Sequence, residues 1–111
     1  MIRIDAIWLA TAPLDMRAGP DTALARVVQV FGSAQPHHAY LFANARANRM
    51  KVLVHDGFGL WLLSRRLHQG RFVWPASGVE DRLGLSREQF DALTLGLPWQ
   101  RLGQGSAISL V

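Results

Sequence analysis

A chain of 111 residues with 50% hydrophobic content forms one domain with a core of its own, which excludes disorder as its organising principle. It contains no cysteine, so disulfide scaffolds, cysteine nucleophiles and cysteine-type zinc sites are excluded, and a reducing cytoplasm is the expected compartment. The formal charge of +4 is concentrated, because Arg46, Arg49, Lys51, Arg65, Arg66 and Arg71 face Asp56 alone between Arg46 and Arg71, while the remainder is slightly acidic.

The opening Met1-Ile2-Arg3-Ile4-Asp5 carries charges where a signal peptide needs apolar residues. The longest clean apolar run, Gly57 to Leu63, is far short of the roughly 18 residues of a membrane span, so no membrane partner is expected. Alternation over Ile2 to Thr11 predicts a half-buried strand. Pro13 and Gly19-Pro20 bracket a turn, and Asp21 stands in N-cap position before Leu24, Val27, Val28 and Phe31, one face of a helix that Gly32 stops. After a polar connection, Ala39 to Ala43 reads as a short buried strand and Asn44 to Arg49 as a turn.

Met50 to His55 and Phe58 to Arg66 flank Asp56-Gly57, a hairpin signal that calls for positive φ at both central residues. A two-residue turn there pairs His55 with Phe58, Leu53 with Leu60, Lys51 with Leu62 and Arg49 with Ser64 on one side. It pairs Val52 with Trp61 and Met50 with Leu63 on the other, the better candidate for the core. Arg71 to Trp74 reads as a strand ended by Pro75, and Ala76 to Gly84 as a loop. The last helix has Ser86 as N-cap, Gln89 completing a capping box and Leu85 with Phe90 as a staple, and buries Phe90, Leu93 and Leu97 before Gly96 and Pro98 stop it. The order β-α-β-β-β-β-α predicts an α+β domain over residues 1–102, an antiparallel sheet of about five strands with two helices packed on one face. A flexible tail over 103–111 is expected to follow.

Nothing in the chain makes a positive case for catalysis, a metal or a cofactor. His37, His38, His55 and His68 lack chelating spacing, and of eight carboxylates Asp21 reads as a cap and Asp56 as part of a turn. No nucleophile elbow or phosphate loop occurs, and Gly57-Phe58-Gly59 is accounted for by the hairpin. What remains is a basic hairpin with Phe58, Trp61, Phe72 and Trp74 around it. Arginines beside rings on a sheet suit nucleic acid, phosphates on guanidiniums and bases on rings, although aromatics on strands are more often core, which is the expectation for Trp61.

Leu14-Asp15-Met16-Arg17, Asn48 to Leu53, Asp56 to Leu60, Arg65-Arg66-Leu67, Gly70-Arg71-Phe72-Val73-Trp74-Pro75, and Leu85-Ser86 to Gly96 with Trp99 together carry a family resemblance. From Trp8 to about Arg101 the chain resembles the TnpB-type accessory protein encoded by the second reading frame of the bacterial insertion sequences of family sixty-six, which is not the RNA-guided nuclease of the same name. The resemblance implies a non-catalytic partner that acts with a separate large transposase and another small accessory protein. It marks Asp15, Arg17, Arg49, Lys51, Arg65, Arg66 and Arg71 as family-motif positions. Ala43, Ala45 and Ala47 stand where the family packs arginines before Arg49, and Ala18 replaces a basic residue, so the implied grip on DNA is weaker here. Two functions are expected: DNA binding through Arg46, Arg49, Lys51, Arg65, Arg66 and Arg71, or docking on the transposase or the sister protein without touching nucleic acid. Either is compatible with a homo-oligomer, since sheet edges can pair between chains.

Overall fold

A computed structural model describes residues 2–76, 78 and 80–102. Strands β1 (Ala6–Ala10), β2 (His38–Ala43), β3 (Arg49–His55), β4 (Leu60–Arg66) and β5 (Arg82–Leu85) form one sheet in the order β4-β3-β2-β1-β5. Helix α1 (Pro20–Phe31) joins β1 to β2, and α2 (Arg87–Thr94) follows β5. The α+β class and the element order are those the sequence predicts.

The sheet is mixed rather than wholly antiparallel. β1 and β2 run parallel, Ile7 beside Ala39 and Leu9 beside Leu41, while the other three pairs are antiparallel. The reason is α1, which carries the chain back along the sheet so that β2 starts at the same end as β1. The helices also lie on opposite faces. Ile7, Leu9, Ala39, Leu41, Met50, Val52 and Val54 pack with Ala92 and Leu93 of α2, whereas Ala10, Tyr40, Phe42 and Leu53 pack with Ala23 and Val27 of α1. Covered on both sides, β2 is buried at every residue after His38, which explains its unbroken apolar run.

Arg71 to Trp74 is not a strand. Its polar groups find scattered partners: the Phe72 N–H donates to the Ala47 carbonyl at 2.7 Å and the Trp74 indole to the Ala10 carbonyl at 3.0 Å. The fifth strand is Arg82–Leu85, formed from the end of the expected loop and Leu85, where Leu83 pairs with Leu9 and Leu85 with Ile7. A Cβ on Gly84 would meet the Trp8 ring at 3.4 Å, so the small residue lets the indole lie against β5.

α1 is capped by Gly19, not Asp21, with Pro20 at its start, where a missing N–H costs nothing. Val28, expected on its buried face, is 47% exposed. In α2 the capping box forms, the Gln89 N–H donating to Ser86 Oγ at 3.1 Å and the Ser86 N–H to Gln89 Oε1 at 2.9 Å. Leu97 is exposed rather than buried, and the core place falls to Trp99.

The β3–β4 loop spans Asp56 to Gly59, and the ladder runs from His55 opposite Leu60 to Arg49 opposite Arg66. The register differs by two residues from the expected one, and an even shift leaves every side chain on its expected face. Only Gly57 has positive φ; instead the Asp56 carboxylate builds the turn, accepting from the N–H groups of Phe58 and Gly59 at 2.9 Å each. The predicted tail over 103–111 lies outside the described residues.

Candidate nucleic-acid interface

One end of the sheet gathers the close of β1 and β2, the start of β3, the end of β4 and the start of α1. The turn between β2 and β3 is rigid. Asn44 Oδ1 accepts from the N–H groups of Asn48 and Arg49 at 3.1 and 3.2 Å, its amide donates to Asn48 Oδ1 at 2.7 Å, and its N–H reaches the Arg49 carbonyl at 3.1 Å. Ala47 takes φ 57°, the left-handed region, at a cost of about 1 kcal/mol. Its carbonyl is held by Phe72, so the segment containing Arg71 is tied to the same turn.

The loop before α1 is strapped onto this turn. The Leu14 N–H donates to the Ala43 carbonyl at 2.9 Å, Arg26 to the Pro13 carbonyl at 3.1 Å, and the Lys51 ammonium to the Ala18 carbonyl at 2.7 Å. Within the loop, Asp15 accepts from the Arg17 guanidinium at 3.1 Å and from the Arg17 N–H at 2.8 Å. These bonds, the guanidinium's first, hold the Asp15 carboxyl below its ordinary range and raise Arg17. Asp15 and Arg17 thus shape the loop that faces the arginines.

Between loop and turn opens a cleft of about 530 Å³ lined by Leu14, Asp15, Met16, Asn44, Arg46, Asn48 and Arg49. A groove of about 350 Å³ continues from Met16 and Arg49 to Lys51, Ser64, Arg65 and Arg66. Arg46, Arg49, Lys51 and Arg66 therefore line one surface, with Arg71 exposed beside the turn, while alternation along β4 turns the Arg65 side chain to the α2 face. The ion pairs among the described residues are Arg3–Asp5, Arg17–Asp15 and Arg87–Asp91, and none involves these six. Lys51 and Arg65 are fixed by main-chain carbonyls, Arg65 Nε donating to Thr94 at 2.6 Å, while Arg46, Arg49 and Arg66 are exposed.

The aromatic residues do not join them. Phe72 is buried, Trp74 is anchored to Ala10, and Phe58 is fully exposed at the hairpin tip. Trp61, expected in the core, is 45% exposed because β4 is an edge strand. It sits four residues before Arg65, roughly 13 Å along the strand, with its indole donating to Asp56 at 3.0 Å. Rings and guanidiniums occupy opposite ends of the hairpin. Elsewhere, no three of His, Asp and Glu converge as a metal site among the described residues, and no described helix is long and apolar enough to cross a membrane.

Sequence reading misses Asn44, Asn48 and Met16. Two asparagines bracketing a turn, a residue type that bonds its own backbone, are the signal that could have flagged the first two. Met16, within the Leu14–Arg17 motif, has none beyond its neighbours.

The family described as IS66 Orf2-like protein matches the chain over residues 5–104. Two uncharacterized proteins of Sinorhizobium fredii (strain NBRC 101917 / NGR234) are similar to it. y4hO is 33% identical over 95 residues, 85% of this chain and 82% of y4hO, and y4jC is 33% identical over 99 residues, 86% of this chain and 82% of y4jC. No solved structure matches it.

Proposed function

The chain belongs to the IS66 Orf2-like family, and from that premise we propose that it is a non-catalytic accessory protein of insertion-sequence transposition that grips DNA phosphates with the basic end of its sheet. The observation that carries this reading is the pairing of Arg49 opposite Arg66, with Arg46 beside Arg49 in the same cleft and no carboxylate bonded to any of the three among the described residues. Like charges facing each other across strands are unfavourable, and a polyanion laid over the groove removes the penalty. Arg46, Arg49 and Arg66 make the phosphate contacts, Lys51 and Arg65 contribute fixed positive charge, and Arg71 extends the surface past the turn. Asp15 and Arg17 hold the opposing loop in place. The start of α1 adds its positive dipole end to the same side. The absence of rings near the arginines favours backbone contact over base stacking. The transposase and a second small protein of the element are its partners in this role.

The test is an affinity titration against the element's terminal DNA and an unrelated duplex of equal length, each at two salt concentrations. Binding should weaken steeply with salt, by about 0.9 of a log–log slope unit per phosphate contact. Replacing Arg65 and Arg66 together by alanine should flatten that slope. No binding at low salt would overturn the reading and assign the arginines to an acidic protein partner, to be sought by pull-down with the transposase after nuclease treatment.

A further inference from the structure

Among the described residues, the outer rim of β4 has no partner strand. The carbonyls of Arg49 and His55 accept from the N–H groups of Asn44 and His37 at 3.1 and 2.8 Å, so the odd residues of β3 turn their backbone polar groups toward β2. Alternation then aims Met50, Val52 and Val54 at Arg65, Leu63 and Trp61 of β4. It leaves the N–H and C=O of Leu60, Leu62 and Ser64 facing outward, and no backbone group reaches them among the described residues. Natural edges are blunted with charge or proline, yet here the charges, Arg65 and Arg66, sit at one end only. Leu60 to Leu63 is wholly apolar, with Trp61 45% and Leu63 43% exposed on the α2 face.

We propose that a second copy of this chain covers that edge, β4 pairing antiparallel with its counterpart about a two-fold axis through Leu62. The occupant follows from the strand's own pattern. In this register Leu62 faces itself, Trp61 faces the partner subunit's Leu63, and Leu60 faces the partner subunit's Ser64. The exposed Phe58 comes opposite the partner subunit's Arg66, where a guanidinium over a ring is favourable. Antiparallel pairing sends the two Arg65-Arg66 pairs to opposite ends, roughly 24 Å apart along the strand at about 3.4 Å per residue. That is about three Debye lengths at physiological salt, so their repulsion is screened. A parallel arrangement would set them side by side. The two sheets become one ten-stranded sheet with a basic surface at each end.

Sedimentation of the full chain tests this and should find a dimer. Ser64→Pro removes only an outward N–H, which an edge strand tolerates, and should give a monomer with an unchanged circular dichroism spectrum. Leu62→Cys, in a chain with no other cysteine, should form a disulfide-linked dimer on mild oxidation, because directly opposed residues bring their Cα atoms within about 5.5 Å. A cysteine at the exposed Val28 should not. A chain that stays monomeric at every soluble concentration overturns the proposal and leaves the edge to a strand of another protein. So does a dimer that Ser64→Pro leaves intact, or a failure of Leu62→Cys to cross-link.

Discussion

Arg49 stands directly across from Arg66 in the β3–β4 ladder, two guanidiniums on one face of the sheet with no carboxylate bonded to either among the described residues. Replacing Arg66 by glutamine should therefore stabilise the protein at low salt, by about 0.2–1 kcal/mol, the range of a cross-strand pair. Urea denaturation of both proteins at low and high salt checks this, the gain shrinking as salt screens the repulsion. The same variant should show a smaller rise in melting temperature on adding a phosphate polyanion.

Asp56 gives a pH dependence with a defined sign. Hydrogen bonds from the Phe58 N–H, the Trp61 indole and the Gly59 N–H lower its pKa from 3.8 to about 2. A depressed folded pKa contributes stability that is present above the unfolded value and lost as pH falls from about 4 to about 2. Asp56→Asn should be the less stable protein at pH 7, and the difference from wild type should vanish at the acid end of that window. Urea midpoints of the two proteins at both pH values decide it.

Gly96 has φ +75°, and a Cβ there would lie 3.0 Å from Leu67 Cδ1 and 3.2 Å from the Arg71 carbonyl. Gly96→Ala should destabilise by about 1–3 kcal/mol through backbone strain and crowding. Thermal unfolding measures the loss, which should be larger than that of alanine at Gly59, where φ is not positive and no atom lies within 4 Å.

Asn44 closes the turn that presents Arg46 and Arg49, with Oδ1 accepting from two N–H groups. Asn44→Ala should cost about 1–3 kcal/mol by leaving those donors without their partner. It should also weaken DNA binding without removing a charge, whereas Arg46→Ala should weaken binding with little effect on stability. Titration and urea denaturation on the two variants separate positioning from contact.

Local signals carried far in this chain. The capping box at Ser86 and Gln89, the α1 stop at Gly32 and the hairpin around Asp56 were legible because each is written in adjacent residues. The faces of β3 and β4 were legible too, since alternation survives an even shift of register. What was not legible depends on distant partners. β5 is four residues with a glycine, and becomes a strand because β1 offers an edge and Trp8 fills the space over Gly84. Arg71 to Trp74 has strand composition, yet Ala47 and Ala10 draw its polar groups across the sheet. The basic residues were legible as a cluster, but not the loop of Asp15 and Arg17 facing them, which is brought there by bonds to Ala43 and Lys51.

The place of β1 sets the order in which the protein can be completed during synthesis. β1 lies between β2, which follows it after one helix, and β5, which is nearly the last element made. A nascent chain released before Arg82 carries Ala6–Ala10, an apolar strand holding Ile7, Trp8 and Leu9, with one side unpaired. Such an open edge recruits other chains. Products cut short before Arg82 should therefore aggregate rather than persist as partly active fragments, and a chain that includes Arg82–Leu85 escapes this exposure of β1 once β5 pairs with it.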